Sequence, residues 1–243
     1  MFPVICQIGP IQIYSYGLML AIAVMVCSFL MSREATRLNM NAQTIFDFVF
    51  WVTLMGILGA RVFYILLNLS FFIENPFEII MIQRGGLAWQ GGLIAGVMTA
   101  LVFIKIKKLP LLATLDLAAP YIALGQAIGR VGCFLNGCCQ GLPAAHGIYF
   151  PVHGERLHPT QLYCAVGLLI IFFILRFSRR HFKSPGQLFA MYLMMASILR
   201  FFIEFVRGDH DHTFFNLSIY QWMTIVIFSF GLGMYQRCRR NTP

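Results

Sequence analysis

Seven long apolar segments separated by short polar loops limit what this chain can fold into. A helix that crosses a bilayer needs about 20 mostly apolar residues. The segments are Ile11–Leu30, Phe46–Leu69, Leu87–Ile106, Leu111–Leu135, Pro159–Phe177, Gln187–Val206 and Phe214–Tyr235. Only 11% of the 243 residues are charged, whereas soluble domains carry about 25%. The pattern predicts an all-α polytopic integral membrane protein with about seven transmembrane helices, forming a single transmembrane domain over residues 1–243.

The basic residues of the loops predict the orientation of the chain. One set of alternate loops carries twelve of them: Arg33, Arg37, Lys105, Lys107, Lys108, Arg176, Arg179, Arg180, Lys183, Arg237, Arg239 and Arg240. The other set mixes three basic residues with five acidic ones: Arg84, Arg156, Arg207, Glu74, Glu78, Glu155, Asp209 and Asp211. Because Lys and Arg prefer cytoplasmic loops, we expect the N-terminus outside and the C-terminus in the cytoplasm. The net charge of +9 then reflects topology, and we expect no nucleic-acid partner.

Three arginines, Arg61, Arg130 and Arg200, lie inside the apolar segments. A charge within the bilayer is energetically costly and is usually kept for a function. In the predicted orientation all three fall in the outer half of their spans, at a rise of about 1.5 Å per residue. Tyr16 and Gln90 fall near the same outer surface. Each arginine alone also fits a structural ion pair, but their shared depth favours one buried site for an anion.

The sixth apolar segment ends in a charged motif. Arg200, Glu204 and Arg207 follow i, i+4 and i+7 spacing, so they share one helix face. Glu204 is expected to neutralise and orient one arginine, which leaves the face net positive. Planar guanidinium groups suit bidentate phosphate binding. A structural ion pair at the membrane interface is the alternative.

The stretch from Gly125 to Gly141 is the most unusual part of the sequence. Its glycines permit close helix packing, or let the backbone leave the helix where it lines a cavity. Arg130 lies at the expected break, and Asn136 and Gly137 follow it. Asn136 is suited to hold a turn or to donate hydrogen bonds to a ligand.

A second glycine-rich stretch, residues 85–92, opens the third apolar segment. Gly92 and Gly96 have the small-xxx-small spacing of helix packing. Alternatively, Gly91 and Gly92 belong to a re-entrant segment whose backbone N–H groups bind an anion.

Three of the seven cysteines, Cys133, Cys138 and Cys139, cluster near the predicted outer face. Together with nearby histidines they offer zinc ligands, but their spacing matches no standard C-x-x-C pattern. A disulfide is a second possibility outside the cytoplasm. We favour a third interpretation, in which small side chains fill a tight helix junction, and we expect neither a metal nor a cofactor.

His158 precedes Pro159, and proline at an early helix position is a start signal. The signal places His158 at the outer surface. It would there meet a phosphate, or be a loop histidine without a role.

Together these segments resemble the prolipoprotein diacylglyceryl transferase family of bacterial inner membranes. The resemblance covers most of the chain and is carried by six motifs: Tyr16-Gly17-Leu18-Met19, Gly59-Ala60-Arg61, Gly91-Gly92-Leu93-Ile94, Gly129-Arg130-x-Gly-x-Phe-x-Asn-Gly, His158-Pro-x-Gln-Leu-Tyr163 and Arg200-x-x-x-Glu204-Phe-x-Arg207. The glycine–arginine signature is specific, and its combination with the last motif is improbable by chance. The family also implies seven spans with the N-terminus outside.

The resemblance implies a transferase that moves a diacylglyceryl group from phosphatidylglycerol to the lipobox cysteine thiol of a preprolipoprotein, forming a thioether and releasing glycerol phosphate. It implies that Arg130, Arg200 and Glu204 are catalytic, with the two arginines on the phosphate. The implied substrate-binding residues are Tyr16, Arg61, Gln90, Gly91, Gly92, Asn136, Gly137, His158 and Arg207. It also implies a multi-pass protein of the bacterial inner membrane, surrounded by membrane lipids, whose site faces the periplasmic leaflet.

Three positions depart from the family pattern. Gln90 stands where the family usually has a histidine, Cys133 where it usually has Asn, and Cys138 where it usually has Glu. Gln90 cannot accept a proton near neutral pH. A thiol acceptor needs little help from a base, however, because a small fraction of it is ionised there. The departures leave open a paralogue with a different acceptor, or a phospholipid binder without catalysis.

An anion channel or transporter that uses the same arginines is the alternative from another class. The sequence contains no convincing internal repeat of the kind that many transporters have. A structural membrane subunit is a further alternative. A transferase would consume phosphatidylglycerol, whereas a transporter would move anions without consuming lipid.

Overall fold

The computed structural model describes residues 4–8, 11–81, 85–182, 184–207, 212–214 and 217–240. The helices among them are α1 (Ser15–Arg37), α2 (Ala42–Leu67), α3 (Leu69–Glu74), α4 (Trp89–Ile106), α5 (Leu111–Asn136), α6 (Thr160–Ser178), α7 (Gln187–Glu204) and α8 (Ile219–Arg240). Short 3₁₀ helices span Pro76–Ile79 and Arg179–His181. Four residues of the predicted charge pattern lie outside the described residues: Arg84, Lys183, Asp209 and Asp211.

Within the described residues, six helices are long and apolar enough to cross a membrane. They are α1, α2, α4, α5, the continuous stretch Thr160–His181 and α7. The seventh predicted span corresponds to α8, which has 22 residues but carries polar Gln221 and Thr224 and a basic last turn. The prediction of an all-α polytopic membrane protein is therefore confirmed, while the orientation of the termini stays a prediction.

Within the described residues, three pairs of short antiparallel strands accompany the helices. Their strands are β1 (Val4–Ile8) with β2 (Ile11–Tyr14), β3 (Pro143–Phe150) with β4 (Glu155–Leu157), and β5 (His212–Phe214) with β6 (Leu217–Ser218). The first predicted span began at Ile11, and that boundary is wrong because α1 begins at Ser15. Apolar and polar residues alternate over Ile11–Tyr14, which is the period of a strand.

The described residues divide into two compact units. One unit comprises Met1–Cys27 and Leu112–Pro243, and the other comprises Ser28–Leu111. The single transmembrane domain stays a prediction, and each unit is described by itself.

The first unit has a buried apolar core built from α5, α6 and α7. Its buried members are Ala119, Ala123, Ala127, Cys164, Leu168, Ile171, Leu175, Leu188, Tyr192 and Ile203. The α5 contribution consists of alanines at i, i+4 and i+8, so larger side chains of α6 and α7 can pack closely against one face of α5. The Tyr192 hydroxyl donates a hydrogen bond to Gln126 Oε1 at 3.1 Å, which ties α7 to α5 one turn before Arg130.

The start of α7 is fixed by a carboxylate of α5. Asp116 Oδ2 accepts a hydrogen bond from the Gly186 N–H at 2.6 Å, and Oδ1 accepts one from the Phe189 N–H at 2.8 Å. The first N–H groups of a helix have no intrahelical partner, and a negative charge there is favourable. Asp116 therefore stabilises the start of α7, the helix that carries Arg200 near its other end.

The second unit is held together by close packing of α2 against α4. A Cβ atom added at Gly91 would overlap Phe63 Cβ and the Gly59 carbonyl oxygen, and one added at Gly92 would lie 3.2 Å from the Gly56 carbonyl oxygen. The predicted packing role of Gly92 is thus confirmed. Gly91 and Gly92 lie in regular helix from Trp89 onwards, and the alternative that their N–H groups bind an anion stays a prediction.

Candidate active site

The end of α7 carries a buried ion pair. Arg200 Nη2 lies 2.9 Å from Glu204 Oε2, and the exposed fractions of the two side chains are 23% and 1%. The other carboxylate oxygen, Oε1, accepts a hydrogen bond from Ser218 Oγ at 2.9 Å. The predicted pairing of Glu204 with an arginine is confirmed. Since both carboxylate oxygens are engaged, the carboxylate fixes the direction of the Arg200 guanidinium group.

Ser218 is a residue that the sequence analysis missed. It precedes α8, and the Gln221 N–H donates to its hydroxyl at 3.2 Å while its own N–H donates to Gln221 Oε1 at 2.8 Å. This reciprocal pair is the capping box of a helix start. A serine three residues before a glutamine, ahead of an apolar run, was the signal that could have revealed it.

Arg130 and Arg207 lie within electrostatic range of Arg200, and both positive charges act against that of Arg200. Arg130 comes from the last two turns of α5 and is half-buried. Arg207 follows α7 and forms a β-bridge with Gly141. The first unit thus brings together three of the four predicted arginines on one region. Among the described residues, no hydrogen bond or ion pair engages the Arg130 guanidinium.

Tyr16 lies in the first turn of α1, next to the end of α5. A Cβ atom added at Gly132 would lie 3.4 Å from Tyr16 Cδ2, so the ring packs directly against this glycine. Arg130 and Cys133 are both within electrostatic range of its hydroxyl. The residue as a whole is 41% exposed, and its hydroxyl lies beside the arginine.

Gly137 ends α5 in a left-handed conformation, with φ 77°. Its N–H donates to the Phe134 carbonyl at 3.1 Å, and the Cys138 N–H donates to the Cys133 carbonyl at 3.2 Å. These two bonds form a Schellman motif, which glycine favours because it lacks a Cβ atom. The predicted break at the glycine–arginine signature is therefore a helix C-cap, and Asn136 is the last helical residue.

The three clustered cysteines converge after this cap. Their Sγ atoms all lie within 4.8 Å of one another, and Cys138 Sγ is 3.6 Å from Cys139 Sγ. The pKa of the Cys139 thiol is lowered, because the Cys133 and Cys138 thiols hydrogen-bond to its sulfur. Smaller contributions come from the positive charges of Arg207 and Arg130. The cluster and the arginines therefore form one continuous polar region.

The start of α6 holds the cysteine loop in place. Gln161 Nε2 donates to the Cys138 carbonyl at 2.5 Å, and Thr160 Oγ1 donates to the Cys139 carbonyl at 2.8 Å. The His158 carbonyl accepts from the Gly141 N–H at 2.9 Å, so the backbone of His158 takes part in this attachment. The imidazole ring of His158 contacts the side chain of Tyr163, and its Nδ1 lies 3.3 Å from the Tyr163 hydroxyl.

The remaining candidates belong to the second unit, where Arg61 is 6% exposed. Its Nε donates to the Ile79 carbonyl at 3.2 Å, and Nη1 donates to the carbonyls of Gly85 at 2.6 Å and Gly86 at 3.0 Å. Its Nη2 donates to the Glu78 carbonyl. The Arg61 guanidinium therefore binds the backbone of the segment between α3 and α4.

Gln90, Gly91 and Gly92 form part of the first turn of α4. Gly91 is buried against α2, and Gly92 is half-buried there. Gln90 is exposed. The two glycines serve helix packing, while Gln90 is the member of the group whose side chain is accessible.

Comparison with known proteins identifies the family to which the chain belongs. The family model described as prolipoprotein diacylglyceryl transferase matches residues 3–237. The chain belongs to the prolipoprotein diacylglyceryl transferase family. Proteins named phosphatidylglycerol–prolipoprotein diacylglyceryl transferase from Staphylococcus aureus strains MSSA476 and MW2 are each 32% identical to it over 255 residues. The alignments cover 99% of this chain and 91% of each relative.

Membership of the prolipoprotein diacylglyceryl transferase family confirms the resemblance inferred from the motifs. The structure places the specific glycine–arginine signature at the C-cap of α5 and the second charged motif at the end of α7. Both motifs lie in the first unit. Two of the three departures from the usual pattern, Cys133 and Cys138, lie in the same polar region as the arginines.

Proposed function

We propose that Arg130 and Arg200 hold the phosphate of phosphatidylglycerol while its diacylglyceryl group is transferred, and that Arg207 lies at the entry to this site. The chain moves this group to the lipobox cysteine thiol of a preprolipoprotein, forms a thioether and releases glycerol phosphate. The observation that carries the proposal is the convergence of guanidinium groups from two helices on one half-buried region. The membership of the family supports the same reaction.

The reaction needs positive charge where the phosphate leaves. The sulfur forms a bond to a glyceryl carbon while the bond from that carbon to the phosphate oxygen breaks. The leaving glycerol phosphate gains negative charge, and oriented donors in a water-poor site stabilise this charge strongly. Arg200 is oriented in advance by Glu204. Arg130 has donors available for the phosphate oxygens, and Arg207 would meet the substrate at the entry to the region.

The residues around the arginines would hold the headgroup. The Tyr16 hydroxyl lies within electrostatic range of Arg130, and Asn136 and Gly137 form the adjacent helix end. His158 contributes its backbone to the loop that follows. We assign hydrogen bonding of the glycerol headgroup to Tyr16 and Asn136.

The candidates of the second unit would act differently. Arg61 binds backbone carbonyls of the segment before α4, so we assign it the positioning of that segment. Gly91 and Gly92 allow α4 to approach α2. The exposed Gln90 is the group of this unit that we assign to substrate binding.

The site belongs to the periplasmic leaflet of a bacterial inner membrane. The predicted charge asymmetry of the loops supports this location, and the family is one of membrane enzymes whose lipid and lipoprotein substrates meet there. Membership of a transferase family does not favour the alternatives of an anion channel or transporter and of a structural subunit.

The test uses purified protein, phosphatidylglycerol and a lipobox peptide, with the added diacylglyceryl mass as the readout. Loss of one donor to a developing negative charge lowers rates about 10²–10³-fold. We therefore expect Arg130→Ala and Arg200→Ala to lower transfer by about that factor. Arg37→Ala, whose side chain is 65% exposed, is the matched control and should transfer normally. Full activity in both site variants would overturn the assignment.

A further inference from the structure

The three cysteines beside the arginines are not used by the proposed phosphate site. We propose that Cys133, Cys138 and Cys139 bind one Zn²⁺ ion, and that the acceptor thiol of the lipobox peptide occupies its fourth coordination position. The second half of this inference rests on the proposed function. The first half, metal binding by the three thiolates, stands on the geometry alone.

The separations of the sulfur atoms suit a tetrahedral thiolate site. A Zn–S distance of about 2.3 Å places tetrahedral sulfur ligands about 3.8 Å apart. The Cys138 and Cys139 sulfurs are already 3.6 Å apart, and all three lie within 4.8 Å. Rotation of the cysteine side chains that moves each sulfur by about an ångström therefore gives the sulfur positions of a tetrahedral zinc site. Soft thiolate ligands select Zn²⁺ over the harder Mg²⁺ and Ca²⁺.

The backbone holds the three ligands in this arrangement. The Schellman motif at Gly137 places Cys133 and Cys138 on either side of the helix end, where side chains at these two positions usually meet. Cys139 has φ 62°, an uncommon conformation for a residue other than glycine. Hydrogen bonds from Gln161 and Thr160 to the cysteine carbonyls keep the loop in place. Such preorganisation is what a ligand site requires.

The charge of the surroundings is compatible with three thiolates. Three thiolates and one Zn²⁺ ion carry a net charge of −1. Arg130 and Arg207 lie within electrostatic range of Cys139 and offset this charge. The three cysteines are half-buried rather than buried, so an ion and a further ligand can reach them.

An open fourth position suits the chemistry of a thiol acceptor. Structural zinc sites have four protein ligands, whereas reactive sites keep one position open, and a thiol that coordinates zinc is deprotonated. The acceptor thiol would lose its proton to water on binding. Its sulfur would then form the bond to the glyceryl carbon, as the electron pair of the breaking C–O bond leaves with the glycerol phosphate. The adjacent arginines would hold that phosphate within reach.

The first test measures the metal in the purified, detergent-solubilised protein by mass spectrometry of the elements. We expect about one zinc per chain in the wild-type protein. In Cys138→Ser and Cys139→Ser the zinc content should fall below about a tenth of the wild-type value. Cys6→Ser is the matched control, since Cys6 is exposed and outside the cluster, and it should keep the metal. Wild-type protein without zinc, or with a disulfide in the cluster after thiol mapping, would overturn the proposal.

The second test uses Co²⁺ as a probe of the wild-type protein, which avoids any variant that fails to fold. Replacement of zinc by Co²⁺ should give thiolate-to-metal charge-transfer bands and visible bands of a tetrahedral site. A lipobox peptide should change the visible bands, whereas the same peptide with serine for cysteine should not. Visible bands that do not change when the cysteine peptide is added would overturn the proposal that its thiol occupies the fourth coordination position.

The two proposals fail in distinguishable ways. If the protein binds metal and the spectrum responds to the peptide thiol while no diacylglyceryl group is transferred, the proposed function fails and the metal site stands. If transfer proceeds at the full rate in Cys139→Ser without metal, the coordination of the acceptor thiol by the metal is overturned and the transferase stands.

Discussion

Arg200 is oriented by a series of hydrogen-bonded side chains at the end of α7 and the start of α8. Its guanidinium pairs with Glu204, Glu204 accepts from Ser218, and Ser218 exchanges hydrogen bonds with Gln221. The i, i+4 spacing predicted the first contact. The capping box of Ser218 and Gln221 has a local signature, whereas the contact of Ser218 with Glu204 depends on the approach of α8 to the end of α7. A site residue can thus be read from a motif while its supporting contacts remain hidden.

Removal of the charge from Glu204 should weaken catalysis through Arg200. Hydrogen bonds to charged groups contribute about 1.5–3 kcal/mol, so Glu204→Gln should lower kcat/KM for transfer about 10–100-fold. Steady-state transfer to a lipobox peptide measures this change. Glu34→Gln is the control, because it removes the carboxylate of a different ion pair, the one with Arg37 in α1, and it should transfer normally. Equal rates for Glu204→Gln and wild type would refute an orienting role.

Ser218→Ala should affect both stability and transfer. Loss of a helix N-cap costs about 1 kcal/mol, and loss of the bond to Glu204 should reduce transfer about 2–10-fold. Ser218→Thr keeps the hydroxyl and should restore both. Ser229→Ala removes an exposed hydroxyl of the same helix and should change neither. Thermal unfolding in detergent and peptide transfer are the measurements, and a Thr variant as impaired as the Ala variant would contradict the prediction.

Arg61 illustrates a limit of reasoning from depth alone. Its predicted depth grouped it with Arg130 and Arg200, whereas its donors bind backbone carbonyls of the segment before α4. The sequence gives the cost of a buried charge but not the identity of its partners. Backbone carbonyls are available partners in any irregular segment, and they leave no signature in the sequence.

At the scale of elements, the cysteine cluster depends on how α5 ends. The sequence placed Cys133, Cys138 and Cys139 near one another, but their spacing matches no standard metal pattern, so the filling of a tight helix junction was favoured over a metal site. The left-handed Gly137 turns the chain back on itself, which brings the residues before and after it together. A glycine C-cap flanked by cysteines is a signal that a spacing rule for metal ligands does not include.

The contact of α2 with α4 should tolerate no side chain at Gly91. A Cβ atom there would overlap Phe63 and the backbone of α2, and overpacking costs about 1–3 kcal/mol. Gly91→Ala should therefore lower the midpoint of thermal unfolding in detergent. Gly233→Ala is the control, since a Cβ atom there has nothing within 4 Å, and it should be neutral or stabilising. A Gly91→Ala variant as stable as wild type would contradict the packing argument.

For the whole molecule, the lengths of the apolar segments predicted the spans well, because a helix that crosses the bilayer needs about 20 mostly apolar residues. The six long apolar helices fall at the predicted segments, within a few residues at most ends. The hairpin of β3 and β4 between α5 and α6 was not predicted, because its strands are short and largely exposed. Such a hairpin depends on tertiary contacts rather than on a strong local pattern.

The orientation of the chain can be tested by thiol labelling of intact cells. Val152 and Leu38 are both exposed, but Val152 lies in a loop predicted outside the cell membrane and Leu38 in a loop predicted in the cytoplasm. In a protein that also carries Cys6→Ser, an impermeant maleimide should therefore label Val152→Cys and not Leu38→Cys. Permeabilised cells should label both. The Cys6→Ser protein alone measures any reaction of the native cysteines, and the reverse labelling pattern would invert the topology.

The attachment of α7 at both of its ends has a consequence for turnover. Asp116 holds its first N–H groups, and the Val206 carbonyl just beyond its last turn accepts from the Leu142 N–H at 2.9 Å. A helix tethered in this way resists piston-like sliding along its own axis. We therefore expect Arg200 to keep its position along this axis throughout turnover.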